Sequence, residues 1–174
     1  MLRNVVTTQI PTAALAVAAD PAAGPAPLPA GRVRPPGAGG ELVLANSGIV
    51  VRLVANPASE GRASLVLLAN DEPVALTPAR AGSGRVLAGA LHGRRGERPW
   101  SLAWGRLCAD EFSVCAEFVG EAQGGAPRTV LATRLGPGFW LAETAGNYRG
   151  VTVTTADSRL YSELWPVSQA PQAL

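Results

Sequence analysis

"RGVTVTTAD", residues 149–157, alternates Val151 and Val153 with Thr152 and Thr154 and then reaches a turn. A period of two, apolar against polar, belongs to a strand with one face in a core and the other in water. The same kind of short run recurs on both sides of it. "ELVLANSGIVVRLVAN" (41–56) reads as two strands around "ANSG". "RASLVLLAN", "EPVALTPA", "GRVLAGAL", "PWSLAWGRL", "EFSVCAEFV", "RTVLATRL", "GFWLAET" and "RLYSELWPV" supply the rest, parted by turn strings such as "NDEP", "GRRGERP" and "EAQGGAP". Short apolar runs spaced by glycine-rich turns predict an all-β domain of about ten strands, a sandwich or a Greek-key or jelly-roll barrel. "ADEFSVCAEFVGEA" (109–122) has acids near its start and competes as a helix, but Phe, Val and Cys favour a strand. As a strand, it puts Cys115 on one face with Ser113 and Glu117, opposite Phe112, Val114 and Phe118.

The 174 residues are enough for one domain with a core. Aromatics make up only 5%, and Trp100, Trp104, Trp140 and Trp165 all lie in the second half, where the larger core cluster is expected. The basic residues number 15, all arginine, against 13 acids. A net charge of +2 points to no specific nucleic-acid partner. The absence of lysine fits a GC-rich genome; clustering for an anion is suggested only by "HGRRGER" (92–98). No apolar run is long enough for a membrane-spanning helix.

The domain is expected to begin at residue 41. Residues 1–40 read as an extended N-terminal arm, because six prolines between 18 and 40 exclude a helix interior and a central strand. "MLRNVVTTQIPTAALAVAAD" also has the early arginine and small-residue end of a secretory leader, though Thr7, Thr8, Gln9 and Pro11 interrupt its apolar run.

The standard catalytic sets are missing. His92 is the only histidine and is read into a glycine-arginine turn; no nucleophile elbow, P-loop or dinucleotide glycine pattern is present. Asp110 and Glu111 are adjacent, so in a strand their carboxylates point apart. Cys108 and Cys115 have no metal-ligand spacing, and whether they pair is open. No cofactor and no metal is expected.

One segment invites a sharper reading. "ETAGNYRGVTV" (143–153) ends in Tyr148, Arg149 and Gly150 before the opening strand. "PPGAGGELVLANSGIVVRLVANPASEGRASLVLL" (35–68) holds Pro36–Gly37, Ser47–Gly48–Ile49, Pro57 and Gly61–Arg62. Together with "RLYSELWPV", these stretches (35–68 and 142–167) resemble motifs of the dUTPase family. The resemblance implies a β-fold with a nucleotide-reading turn. It also implies that catalysis is lost: the family's water-activating Asp is here Ala145, its Arg-Ser-Ser motif is absent, and "SQAPQAL" has no counterpart of the glycine-rich lid. Without the family, "GNYRG" reads as a hairpin turn in which Gly146 and Asn147 supply positive φ, Tyr148 covers a strand end and Arg149 is solvated.

The sequence therefore predicts a non-enzymatic domain for protein–protein assembly. A viral or phage structural protein of capsid, decoration or tail type is expected, in a homo-oligomer or larger assembly, in the virion or the host cytoplasm or nucleus. A non-catalytic dUTPase-related viral protein and a secreted carbohydrate-binding β-sandwich are the alternatives. The candidate ligand or partner contacts are Asn147, Tyr148 and Arg149 in the turn, with Arg94 and Arg95 in the arginine run.

Overall fold

The computed structural model describes residues 40–55, 63–78, 86–107, 113–120, 126–136 and 138–169. The expected arm lies outside these residues, as do Cys108, Asp110, Glu111 and Phe112. The described residues form thirteen strands and one short 3-10 turn, Val167–Gln169, with no α-helix among them. The all-β reading holds, and the strands form a sandwich rather than a closed barrel.

Three sheets make up the fold. The first is an antiparallel meander of β1 (Glu41–Val43), β2 (Val50–Ala55), β3 (Ala63–Ala69) and β4 (Glu72–Thr77). The central sheet has the order β13-β5-β6-β10-β9, from β5 (Gly89–Arg95), β6 (Arg98–Arg106), β9 (Thr133–Leu135), β10 (Phe139–Ala145) and β13 (Trp165–Pro166). The third has the order β12-β11-β7-β8, from β7 (Cys115–Val119), β8 (Arg128–Leu131), β11 (Gly150–Thr154) and β12 (Arg159–Glu163).

Two runs read as single strands each divide between sheets. "RTVLATRL" gives β8 in the third sheet and β9 in the central one, changing sheet at Ala132, whose N–H donates to the Val114 carbonyl at 3.0 Å. "RLYSELWPV" gives β12 and β13 in the same two sheets, with buried Leu164 between them. These divisions raise the count above ten.

The central sheet is covered on both faces. Trp100, Leu102, Trp104, Phe139 and Leu141 pack with Ile49, Val51, Leu65 and Leu67 of the first sheet. Ala90, Ala103, Trp140 and Ala142 pack with Ala116, Phe118, Val151 and Val153 of the third. Trp104 Nε1 donates to Thr77 Oγ1 at 3.0 Å, tying the first two sheets together inside the core. Three tryptophans are buried, as expected of the second half, whereas Trp165 is exposed.

The segment weighed as a helix is strand β7. Val114, Ala116 and Phe118 are buried, while Cys115 and Glu117 are half-buried on the other face with exposed Ser113. Cys115 is a free thiol. His92 is not in a turn. It lies within β5, opposite Ser101, because the β5–β6 register places the turn at Gly96–Glu97. Gly96 there has a φ of 61°.

Candidate functional site

The stretch 145–149 connects β10 of the central sheet to β11 of the third, so it is a crossing rather than the hairpin turn expected. Gly146 has a φ of 119°, but Asn147 is not in the left-handed region. Five hydrogen bonds hold the crossing. Gly146 N–H donates to the Pro99 carbonyl at 3.0 Å, and buried Ser101 Oγ donates to the Gly146 carbonyl at 3.0 Å. Ser101 Oγ also accepts from Tyr148 N–H at 3.2 Å. Arg149 N–H donates to the Val119 carbonyl at 3.1 Å, and the Arg149 carbonyl accepts from Leu164 N–H at 2.8 Å.

Tyr148 is largely buried in the crossing, its ring 5.8 Å from that of Phe118. Arg149 is exposed. A valine at position 146 would place a β-branched residue at positive φ and disturb two of these bonds. Gly146→Val is therefore expected to cost about 2–4 kcal/mol, read as a lower urea midpoint at constant m-value. An unchanged midpoint would show that the crossing adapts freely.

A second turn meets this one. Residues 44–49 join β1 to β2, closed by Leu44 N–H donating to the Ile49 carbonyl at 2.9 Å and Gly48 N–H to the Leu44 carbonyl at 3.0 Å. Glu143 of β10 reaches into that loop with both carboxylate oxygens. Oε2 accepts from the backbone N–H and the side-chain amide of Asn46, each at 3.0 Å. Oε1 accepts from Ser47 N–H at 2.8 Å and Ser47 Oγ at 2.6 Å. Charge-assisted bonds of this number fix the loop strongly. The two segments that carried the family resemblance are thus in direct contact, through a carboxylate fully engaged in structure.

Between the two turns lies an open cleft of about 790 Å³. Asn46 lines it from the first turn, Tyr148 from the crossing, Arg95 and Arg98 from the β5–β6 hairpin, and Arg128 from the start of β8. Arg95 and Arg98 are register partners where the hairpin closes. The Arg95 guanidinium lies over Gly48, where a Cβ would be 3.2 Å from Cζ, and its Nη1 donates to the Ala45 carbonyl at 3.3 Å.

Of the candidates named from sequence, Arg95 and Tyr148 line this cleft. Arg94 points elsewhere, donating through Nη2 to the Glu97 carbonyl at 2.9 Å, and Asn147 and Arg149 are not among the lining residues. Sequence reasoning missed Arg98, Arg128 and Asn46. Arg98 was within reach, since it ends the flagged run "HGRRGER"; Arg128 enters only through the fold.

Among the described residues no carboxylate lines the cleft, so none of them there can act as a carboxylate base on a bound ligand. Among the described residues, no group of three or more His, Cys, Asp or Glu could hold a metal ion, and no helix is long and apolar enough to cross a membrane. A scan against protein-family models finds no matching family, and searches of curated proteins and of solved structures find no match.

Proposed function

We propose that this chain is a non-enzymatic β-domain that assembles with copies of itself through the outer face of the first sheet, as a viral or phage structural component of capsid, decoration or tail type. The observation that carries the assembly reading is a contrast between two outer faces. On the third sheet, the strand register puts Tyr161, Thr152, Glu117 and Thr129 in one row, and an Arg159–Glu117 ion pair at 3.5 Å crosses the face. Leu131 and Tyr161 are also exposed on this face, at 74% and 61%, but each stands in a row with polar or charged residues, as on a solvent-facing sheet. On the first sheet, the outward row is Val43, Val50, Leu68 and Pro73, and the next continues through Val66 to Leu76. Val43 is 60% exposed, Val54 48% and Leu76 45%.

An outward face that carries exposed Val43, Val54 and Leu76 around half-buried Val50 and Val66 and buried Leu68 can dock a partner. The second copy is favoured by charge. The outward face carries Glu41 and Arg52, paired at 2.7 Å, so it is neutral and can meet itself about a two-fold axis without like charges opposing. The lysine-free, arginine-only composition supports the viral part of the reading, as the product of a GC-rich genome.

Light scattering tests it. The full chain should give a mass of a dimer or larger, and Val54→Glu with Leu76→Glu should return it to the monomer with its β-sheet circular dichroism unchanged. Both positions are exposed, so folding should survive the change. A monomeric unaltered chain at about 100 μM, far above the Kd expected of a stable interface, would overturn the proposal.

A second reading, a non-catalytic relative of the dUTPases, is favoured by the Glu143 contact between the two resembling segments. Ala145 offers no acceptor for an attacking water, and Glu143 is engaged on the 44–49 loop. Incubation with dUTP and magnesium should release no pyrophosphate above background. Turnover abolished by Arg98→Glu would establish an enzyme instead.

A further inference from the structure

The cleft between the two turns gathers positive charge that the rest of the domain does not answer. Arg95, Arg98 and Arg128 line it, and among the described residues no aspartate or glutamate does. The arginines come from two sheets, and the side chains of two of them, Arg98 and Arg128, have no hydrogen-bond or ion-pair partner among the described residues. Outside the cleft, Arg52 and Arg159 are paired across strands with Glu41 and Glu117. Glu143, the acid nearest in the chain to the crossing, has both oxygens occupied by the 44–49 loop. The same loop holds Arg95 through the Ala45 carbonyl, so one guanidinium is positioned before any ligand arrives.

We infer that this cleft binds an acidic peptide segment of a partner protein. Guanidinium groups match carboxylates in a two-pronged geometry, and three of them call for more than one negative charge. The volume of about 790 Å³ is that of a site for a ligand much larger than a single ion, since clefts of roughly 300–1,000 Å³ hold drug-sized molecules.

The lining also offers an acceptor. The Asn46 side-chain amide gives its N–H to Glu143, which leaves Oδ1 open to the cleft without a partner among the described residues. A peptide brings backbone N–H groups to satisfy it, as well as carboxylates for the arginines. A fully ionised phosphate brings only acceptors. Pro99, Ala45 and Ala145 give the cleft an apolar part on which the methylene stems of Glu side chains can rest.

The probe is a fluorescein-labelled peptide of alternating Glu and Gly, with its Gln–Gly counterpart as control, followed by fluorescence anisotropy with the full chain. The Glu peptide should bind and the Gln peptide should not, and affinity should fall as salt rises from 50 to 300 mM. Arg98→Glu and Arg128→Glu should each weaken binding at least about tenfold, while Arg134→Glu, outside the cleft, should change it less than about twofold. Thermal melts of the Arg98 and Arg128 variants should match the native chain, because neither side chain has a hydrogen-bond or ion-pair partner among the described residues.

Equal binding of the Glu and Gln peptides would overturn the inference, as would binding insensitive to both arginine changes. Pyrophosphate that displaces the Glu peptide and itself binds more tightly would overturn it in favour of a small phosphate ligand. Self-association is read separately by light scattering, so the two proposals fail independently.

Discussion

Gly105→Ala, the addition of one methyl group, is expected to remove about 3–5 kcal/mol of stability, a large share of what a domain of this size has in total. Gly105 stands in β6 on the face turned towards the third sheet, opposite Trp140 of β10. A Cβ there would overlap the Val86 carbonyl oxygen and lie 2.7 Å from Trp140 Nε1. That carbonyl is the shared acceptor of Trp140 Nε1 at 2.7 Å and Arg106 N–H at 3.2 Å. Making room means moving backbone, and moving it takes the acceptor away from a tryptophan that is 1% exposed. Gly138→Ala is the control, because a Cβ on Gly138 meets nothing within 4 Å. Urea unfolding should place the two variants at least about 2 kcal/mol apart. If they unfold together, the 86–88 segment is not fixed against β6 as described.

The same face explains why much of the fold was legible in the sequence and some was not. β11 announced itself because one of its faces meets solvent, so Val151 and Val153 contrast with Thr152 and Thr154. β6 is buried on both faces, and there polarity carries no signal. Its alternation is of size: Trp100, Leu102 and Trp104 face the first sheet, and Ser101, Ala103 and Gly105 face the third. On the neighbouring strand, Gly89 and Gly93 lie opposite Trp104 and Trp100, and the indole rings fill the space their missing side chains leave. "GALHG" beside "WSLAW" is therefore a pair of complementary surfaces, a relation that a strand read alone does not show.

The site was partly legible for a related reason. A turn residue with positive φ has a local signature, and Gly146 was found that way. Whether a turn joins strands of one sheet or of two depends on partners distant in sequence. The crossing at 146–149, the sheet changes at Ala132 and Leu164, and the convergence of Arg128 on Arg95 and Arg98 all depend on such partners. Arg94 and Arg95 are adjacent and looked equivalent in sequence. The alternation of a strand sends their side chains to opposite faces, and only Arg95 meets the 44–49 loop.

Glu143 shows how much one residue can hold. In the fold it accepts from two backbone N–H groups, one amide and one hydroxyl, all from Asn46 and Ser47. Glu143→Ala leaves those donors with no acceptor in a half-buried site, so a loss of about 2–4 kcal/mol is expected. Glu143→Gln keeps the shape but not the chemistry. Its one oxygen can serve the donors of a single residue, and its NH2 group then faces those of the other. If the NH2 group faces Ser47, the hydroxyl can rotate to accept from it, but the backbone N–H cannot. The glutamine variant should therefore recover no more than about half of the loss. Hydrogen exchange gives the local reading: the Asn46 and Ser47 amides should exchange at least about tenfold faster in both variants, while the Val151 and Val153 amides of β11 keep their protection. Because Arg95 is held through the Ala45 carbonyl of the same loop, either change should also weaken acidic-peptide binding, although position 143 does not itself line the cleft. A glutamine variant as stable as the native chain, with slow Asn46 and Ser47 amides, would show that the carboxylate does not anchor the loop, and the preorganisation of Arg95 would need another cause.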